Sequence, residues 1–182
     1  MTTRQPLPRL WLMTDERQGD ALWTALQRLP RRSGIVFRHY GLATAERRLL
    51  FERVRDVARR RGHLLLLAGD ARDARAWRAD GSHGGERGAG LRTAPAHDIR
   101  ELRAAERSGA ALLFVSPVFA TRSHPGTRPL GRSGFQRLAA STRLPVIALG
   151  GMDARRARGL RGLYGWAAID AWSGQKRNAV PR

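Results

Sequence analysis

Two segments, Ala111–Val115 and Pro145–Leu149, are continuous apolar runs with no polar alternation. A run of four or five such residues cannot leave either side in water. It reads as a strand covered on both faces, which is the signature of parallel sheets flanked by helices. Other short runs repeat the theme along the chain: Leu10–Thr14, Gly34–Arg38, His63–Ala68, a weaker Leu91–Thr93 and a final Ala167–Ile169. Helix-like stretches alternate with them at Asp20–Leu29, Thr44–Arg61, Ala71–Ala79, Asp98–Ser108 and Ser133–Ser141, and from Asp153 to about Arg161. Asp98 and Asp153 are N-cap residues, Glu101 stands where a capping-box partner belongs, and Gly62 supplies a C-terminal stop after Arg59-Arg60-Arg61. The glycine-rich stretch Asp80–Gly90 shows no apolar pattern.

Strand followed by helix, repeated along the chain, leaves two arrangements open: an open doubly wound sheet or a closed eight-stranded barrel. The absence of a polar, edge-like strand favours closure. We therefore expect an α/β fold, a single (βα)8 TIM barrel over residues 1–174 with a polar tail at 175–182. Its 182 residues allow roughly 23 per βα unit, below the usual size of such barrels, so the loops must be short and the last helix truncated.

The charge balance is lopsided. Lys+Arg number 34 against 15 Asp+Glu, a formal +19, and Lys176 is the sole lysine. Any chemistry needing a lysine must use that residue or do without. There is no cysteine, which excludes disulfides, Cys-ligated metal and a Cys nucleophile. The apolar runs are far shorter than the roughly 20 residues of a membrane span, and Met1–Arg9 is polar with two prolines. The expectation is a cytoplasmic protein without a membrane partner that prefers anions. Nucleic acid is not an expected partner, because no reading motif accompanies the charge; an oligomer stays open.

In a βα barrel the chemistry lies at the C-terminal ends of the strands. Two stretches stand out there. Pro145–Leu149 runs into Gly150-Gly151 and the Asp153 cap; glycines allow a close backbone approach to an oxyanion, and helix N-termini offer unbonded N–H groups. The long segment Ser116–Gly131 combines hydroxyls (Thr121, Ser123, Thr127), guanidinium groups (Arg122, Arg128) and His124, donors suited to a diphosphate.

These two stretches, "SPVFATRSHPGTRPLG" and "LPVIALGGMDARRARGL", together with "AAIDAWSG", resemble the C-terminal half of the thiamine phosphate synthase/TenI family. "LWLMTD", "FRHYG" and "ADGSHGGE" match its first half more loosely, so the resemblance spans residues 10 to 174. It implies a single barrel of thiamine biosynthesis, a transferase coupling hydroxymethylpyrimidine diphosphate to thiazole phosphate with release of pyrophosphate, with Mg²⁺ and basic side chains on the diphosphate. The residues carried over for substrate and phosphate are Arg38, Thr121, Arg122, Ser123, His124, Gly150 and Gly151, with Asp70 for the metal.

Departures from the family pattern are equally specific. Val36, His39 and Tyr40 replace the Gln, Glu and Lys around Arg38, and Gly69 replaces the Asn before Asp70. Glu86 stands at the family's Gln and Arg87 at or near its second acidic metal ligand, while Pro95 replaces a serine, His124 a lysine and Asp170 a serine of the thiazole-phosphate cradle. Pro117 replaces the histidine of the tautomerase branch. The alternative functions are thus a catalytically degenerate barrel holding a phosphorylated metabolite or a protein partner and, further behind, a basic nucleic-acid binder.

Overall fold

Eight parallel strands close on themselves in sequence order, β1 pairing with β8 as well as with β2. In this computed structural model, residues 6–85, 88, 90–121 and 126–173 are described. The strands are β1 (Leu10–Met13), β2 (Gly34–Phe37), β3 (Leu64–Ala68), β4 (Gly81–His83), β5 (Leu91–Ala96), β6 (Leu112–Val115), β7 (Val146–Ala148) and β8 (Gly165–Ala168). The helices are α1 (Ala21–Arg28), α2 (Thr44–Arg61), α3 (Ala71–Ala76), α4 (Ile99–Arg107), α5 (Gly131–Ala140) and α6 (Ala154–Ala157), with a 3-10 turn at Glu16–Gln18. The expected (βα)8 barrel is therefore the observed one, and the open sheet is excluded by closure.

Alternate strand residues fill two layers. Trp11, Met13, Val36, Leu66, Phe114 and Ile147 pack inside the barrel. Leu12, Ile35, Phe37, Leu65 and Leu67 face outward onto α1 and α2, while Leu113, Val115, Val146 and Ala148 face α4 and α5. The barrel interior has one demanding occupant. A Cβ on Gly34 would fall 2.1 Å from the Trp11 ring, so glycine at the start of β2 is what makes room for the indole. Phe114 meets Trp11 edge to face, with ring centroids 5.2 Å apart.

The structure departs from the sequence expectation in three places. Gly81–His83 is a strand although its residues carry no apolar pattern; it is held by pairing to β3 and β5 on both sides. β5 begins after residues 84–90, a connection too short for a crossover helix. The helix expected to run from Asp153 to about Arg161 is one turn, Ala154–Ala157, because it buries no residue and Gly159 interrupts it. The proposed boundary at 174 and the tail 175–182 lie outside the described residues.

Candidate active site

The mouth of the barrel begins at the C-terminal ends of β1 and β2. Asp15 is the N-cap of the 3-10 turn, its carboxylate accepting from Arg17 N at 3.1 Å and Arg17 Nε at 2.7 Å. The same carboxylate receives Arg38 Nη2 at 2.6 Å, while Arg38 Nε donates to Thr14 O at 2.8 Å. Burial works against the Asp15 charge, yet the hydrogen bonds from Arg17 and the field of Arg38 outweigh it and hold the carboxyl below its ordinary value. Arg38 is thus oriented at three points, since its own N–H also donates to Thr14 Oγ1 at 3.0 Å.

His39, where the resemblance has an acid, adopts a left-handed backbone with φ 44° and is buried. Its Nδ1 lies 3.0 Å from Thr14 Oγ1 and its ring stacks on Phe37 at 4.8 Å. Burial lowers its pKa, and Arg38 and Arg47 push the same way against Glu16 and Asp15, so the ring at the β2 corner is neutral at pH 7. Arg47, in the first turn of α2, donates from Nε to Arg38 O at 2.7 Å and from Nη2 to Ala68 O at 2.8 Å. It ties the ends of β2 and β3 together and lies over the rings of Tyr40 and Trp77. Sequence reasoning missed Arg47, although an arginine in the first turn after a strand end was a readable signal.

Asp70 stands at the end of β3, the N-cap position of α3, and its side chain makes no capping bond. Gly85 crosses beside it: a Cβ there would sit 2.9 Å from Asp70 Oδ1. Among the described residues no group of three His, Asp or Glu is arranged to hold a metal ion. Glu86 and Arg87 lie outside those residues. At the floor, His83 points into the barrel over Phe114, with ring centroids 4.8 Å apart, and its Nδ1 pairs with Thr93 Oγ1 at 2.9 Å. Burial, assisted by Arg38, pushes its pKa down to about 3.

Opposite, the loop after β6 is folded back on its own start: Leu130 N donates to Pro117 O at 2.9 Å and Gly131 N to Val118 O at 3.0 Å. Its first residues lie flat on the β7 corner, with Val118 N donating to Leu149 O and Phe119 N to Gly150 O. Gly150 (φ 91°) and Gly151 (φ 60°) are required here. A Cβ would fall 2.7 Å from Pro117 Cα at the first and 2.6 Å from Ala120 O at the second. Their amides donate to no backbone carbonyl among the described residues, while the Gly151 carbonyl accepts from Arg156 Nη1. Asp153 caps α6 by accepting from Arg156 N at 2.7 Å.

Of the sequence-predicted residues, Arg38 is placed at the β2 end, Asp70 at the β3 end, and Gly150 and Gly151 beside the β6 loop. Thr121 is half-buried where that loop leaves the corner. Arg122, Ser123 and His124 lie outside the described residues, whereas Arg128 is exposed on the returning limb. Pro95 is exposed at the end of β5, and Asp170 comes after β8, its charge acting on Arg17. The described part of the mouth therefore offers the oriented Arg38 guanidinium, the Asp70 carboxylate with no capping bond, the neutral His83 floor and the Gly150–Gly151 pair of backbone donors.

Comparison with known proteins agrees with this layout. Residues 11–172 match the family model described as thiamine monophosphate synthase. A protein of Salinispora arenicola named thiamine-phosphate synthase is 32% identical over 187 residues, covering 92% of this chain and 90% of its own. One of Aquifex aeolicus named "Putative thiamine-phosphate synthase 2" is 29% identical over 179 residues, covering 90% and 96%. A solved structure of a thiamine phosphate pyrophosphorylase from Pyrococcus furiosus superposes with a TM-score of 0.77 at 25% identity, over 92% of this chain and 88% of that one. With nearly its whole length matched in sequence and in fold, the chain belongs to the thiamine monophosphate synthase family.

Proposed function

We propose that this barrel is a transferase of thiamine biosynthesis that joins hydroxymethylpyrimidine diphosphate to thiazole phosphate. The C–O bond to the diphosphate breaks, pyrophosphate leaves with the bonding pair, and the thiazole nitrogen forms the new C–N bond to the pyrimidine methylene. Because charge separates in that step, the protein's part is chiefly to stabilise an oxyanion and shield a cation. The observation that carries the reading is the Gly150–Gly151 corner, packed against Pro117–Ala120 with two backbone N–H groups that no carbonyl among the described residues takes up. This is a donor pair for a phosphate oxyanion.

Arg38 supplies the oriented positive charge across the mouth, and the loop residues Thr121, Arg122, Ser123 and His124 provide further donors for the leaving group. The neutral His83 floor keeps an uncharged polar surface beneath the pyrimidine. Asp70 fits a magnesium ion held by one protein carboxylate and by substrate phosphates, the usual mode for that cation, and the ion would neutralise charge on the departing diphosphate. Asp170 disfavours a dianion beside it unless Arg17 or another cation intervenes.

A second reading, binding of a phosphorylated metabolite without turnover, is favoured by the commitment of Arg38 to Asp15 and Thr14. One experiment separates the two. Purified protein with both half-substrates and Mg²⁺ yields thiamine phosphate on the first reading. Calorimetric binding of thiazole phosphate or pyrophosphate with no product sinks it in favour of the second.

A further inference from the structure

The end of the barrel opposite the mouth carries a concentration of charge that the reaction does not use. Two turns lie side by side there, the α1–β2 connection and the α2–β3 connection. They bring together Arg28, Arg31, Arg32, Arg59, Arg60 and Arg61, of which all but Arg61 are exposed. None of the six has a carboxylate within ion-pair distance among the described residues. The nearest acid along α2 is Asp56, a turn back.

Helix dipoles account for part of this. Cations are favoured at helix C-termini, but each terminus offers roughly half a negative charge. Two termini and Asp56 leave a surplus of about four positive charges on one small surface.

The two turns are also tied to each other, through the side chains of Arg31 and Arg61 and the backbone of Arg32. Arg31 Nη2 donates to Arg60 O at 2.9 Å, Arg61 Nη2 to Leu29 O at 3.0 Å and Arg32 N to Arg61 O at 3.3 Å, so each turn is braced by the other. Arg32 occupies the left-handed region with φ 61°, a conformation that glycine adopts without strain. Beneath them lie two buried donors with no acceptor, Arg61 Nε and His63 Nε2. His63 accepts from Ser33 N through Nδ1 at 3.2 Å, which leaves the proton on Nε2. The surface is rich in donors and short of acceptors.

We propose that this face binds the phosphate backbone of a nucleic acid. Guanidinium groups pair two phosphate oxygens at once, and the exposed arginines stand on two turns fixed to one another. A lipid surface fits less well, because the exposed large apolar side chains among the described residues, Tyr40, Leu49 and Ile99, lie on none of these turns. The contact reads no bases, which agrees with the lack of a reading motif. It is independent of the transferase reading, since the mouth lies at the other end of the barrel.

The test uses the full chain and a fluorescent 20-base-pair DNA duplex (about two helical turns) followed by anisotropy across a salt series. Substituting Arg32, Arg59 and Arg60 by Gln is expected to weaken binding at least about tenfold and to reduce the salt slope by about two to three. Substituting Arg72, Arg100 and Arg132, exposed in the first turns of α3, α4 and α5 at the opposite end, removes the same charge and is expected to cost less than about threefold. The Lys version of the first triple keeps the charge, retains most of the affinity and separates loss of charge from loss of fold. Equal losses in the two Gln triples, no binding by the parent protein, or tighter binding to phosphatidylserine vesicles than to the duplex would overturn the proposal.

Discussion

Arg38 reaches Asp15 Oδ2 at 2.6 Å while Arg17 holds Oδ1 of the same carboxylate at 2.7 Å, so one acid stands between two guanidinium groups at the rim of the barrel. The Arg38–Asp15 pair is mostly shielded from water, with side-chain exposures of 17% and 13%. The acid cancels one positive charge and fixes the direction of the other. On the proposed function, a phosphate entering the mouth would meet an arginine already aimed rather than a free one.

Replacing Asp15 by Asn leaves the shape but removes the anchoring charge. The expected result is a loss of about 1–2 kcal/mol in urea unfolding and a roughly tenfold fall in turnover, as Arg38 loses its orientation. Since the folded carboxyl lies below its ordinary value, its stabilisation is present above about pH 4 and is lost as pH falls through the folded value. Unchanged stability and turnover would show that Arg38 is positioned without it.

His63 and His83 give a different pH window. Both are buried and neutral, with pKa values pushed down to about 4 and about 3 from an ordinary 6.5. The unfolded chain takes up protons as pH drops below about 6.5, while the folded chain does not, so stability declines from pH 7 to pH 5. His83→Gln and His63→Gln should each flatten part of that slope in urea unfolding measured at both pH values. An unaltered slope in both variants would place the effect elsewhere.

Gly150→Ala adds a methyl where Pro117 Cα lies 2.7 Å away and where φ is 91°. Crowding and backbone strain together should cost about 2 kcal/mol or more, a fall of roughly 4–8 °C in melting temperature for a chain of this size. Pyrophosphate affinity should fall with it, because the two corner amides are displaced. A calorimetric titration retaining full affinity would remove the corner from the phosphate site.

Asp70→Asn tests the metal assignment with little risk to the fold, as the side chain makes no capping bond. Stability should stay within about 0.5 kcal/mol of the parent. The Mg²⁺ concentration for half-maximal turnover should rise by roughly tenfold, since one of very few protein ligands is lost. An unchanged Mg²⁺ requirement would assign the ion to the substrate alone.

Much of the barrel was legible because burial on both faces forces a strand to be apolar throughout, as in Leu112–Val115 and Val146–Ala148. α2 was readable to the residue, since Gly62 at φ 68° provides the helix stop that Arg59–Arg61 precede. Gly81–His83 was not legible as a strand. Its side chains are small or polar, and its place depends on β3 and β5 lying ready on either side. The Asp98–Glu101 cap was half legible: Asp98 accepts from Glu101 N at 2.8 Å, but the glutamate turns to His97 instead of closing the box.

The site divides along the same line. The amino-acid order by itself determined which strand ends carry Arg38, Asp70 and Gly150–Gly151, because each of these residues sits within a few positions of an apolar run that must become a strand. Tertiary structure alone decided that Arg38 is held by Asp15, that Arg47 bridges β2 and β3, and that Gly150 must be glycine to admit Pro117. It also gathered arginines from positions 28–32 and 59–61 onto one face. Such relations join residues distant along the chain, and a pattern read locally holds no distance between them; closure of the barrel supplies it.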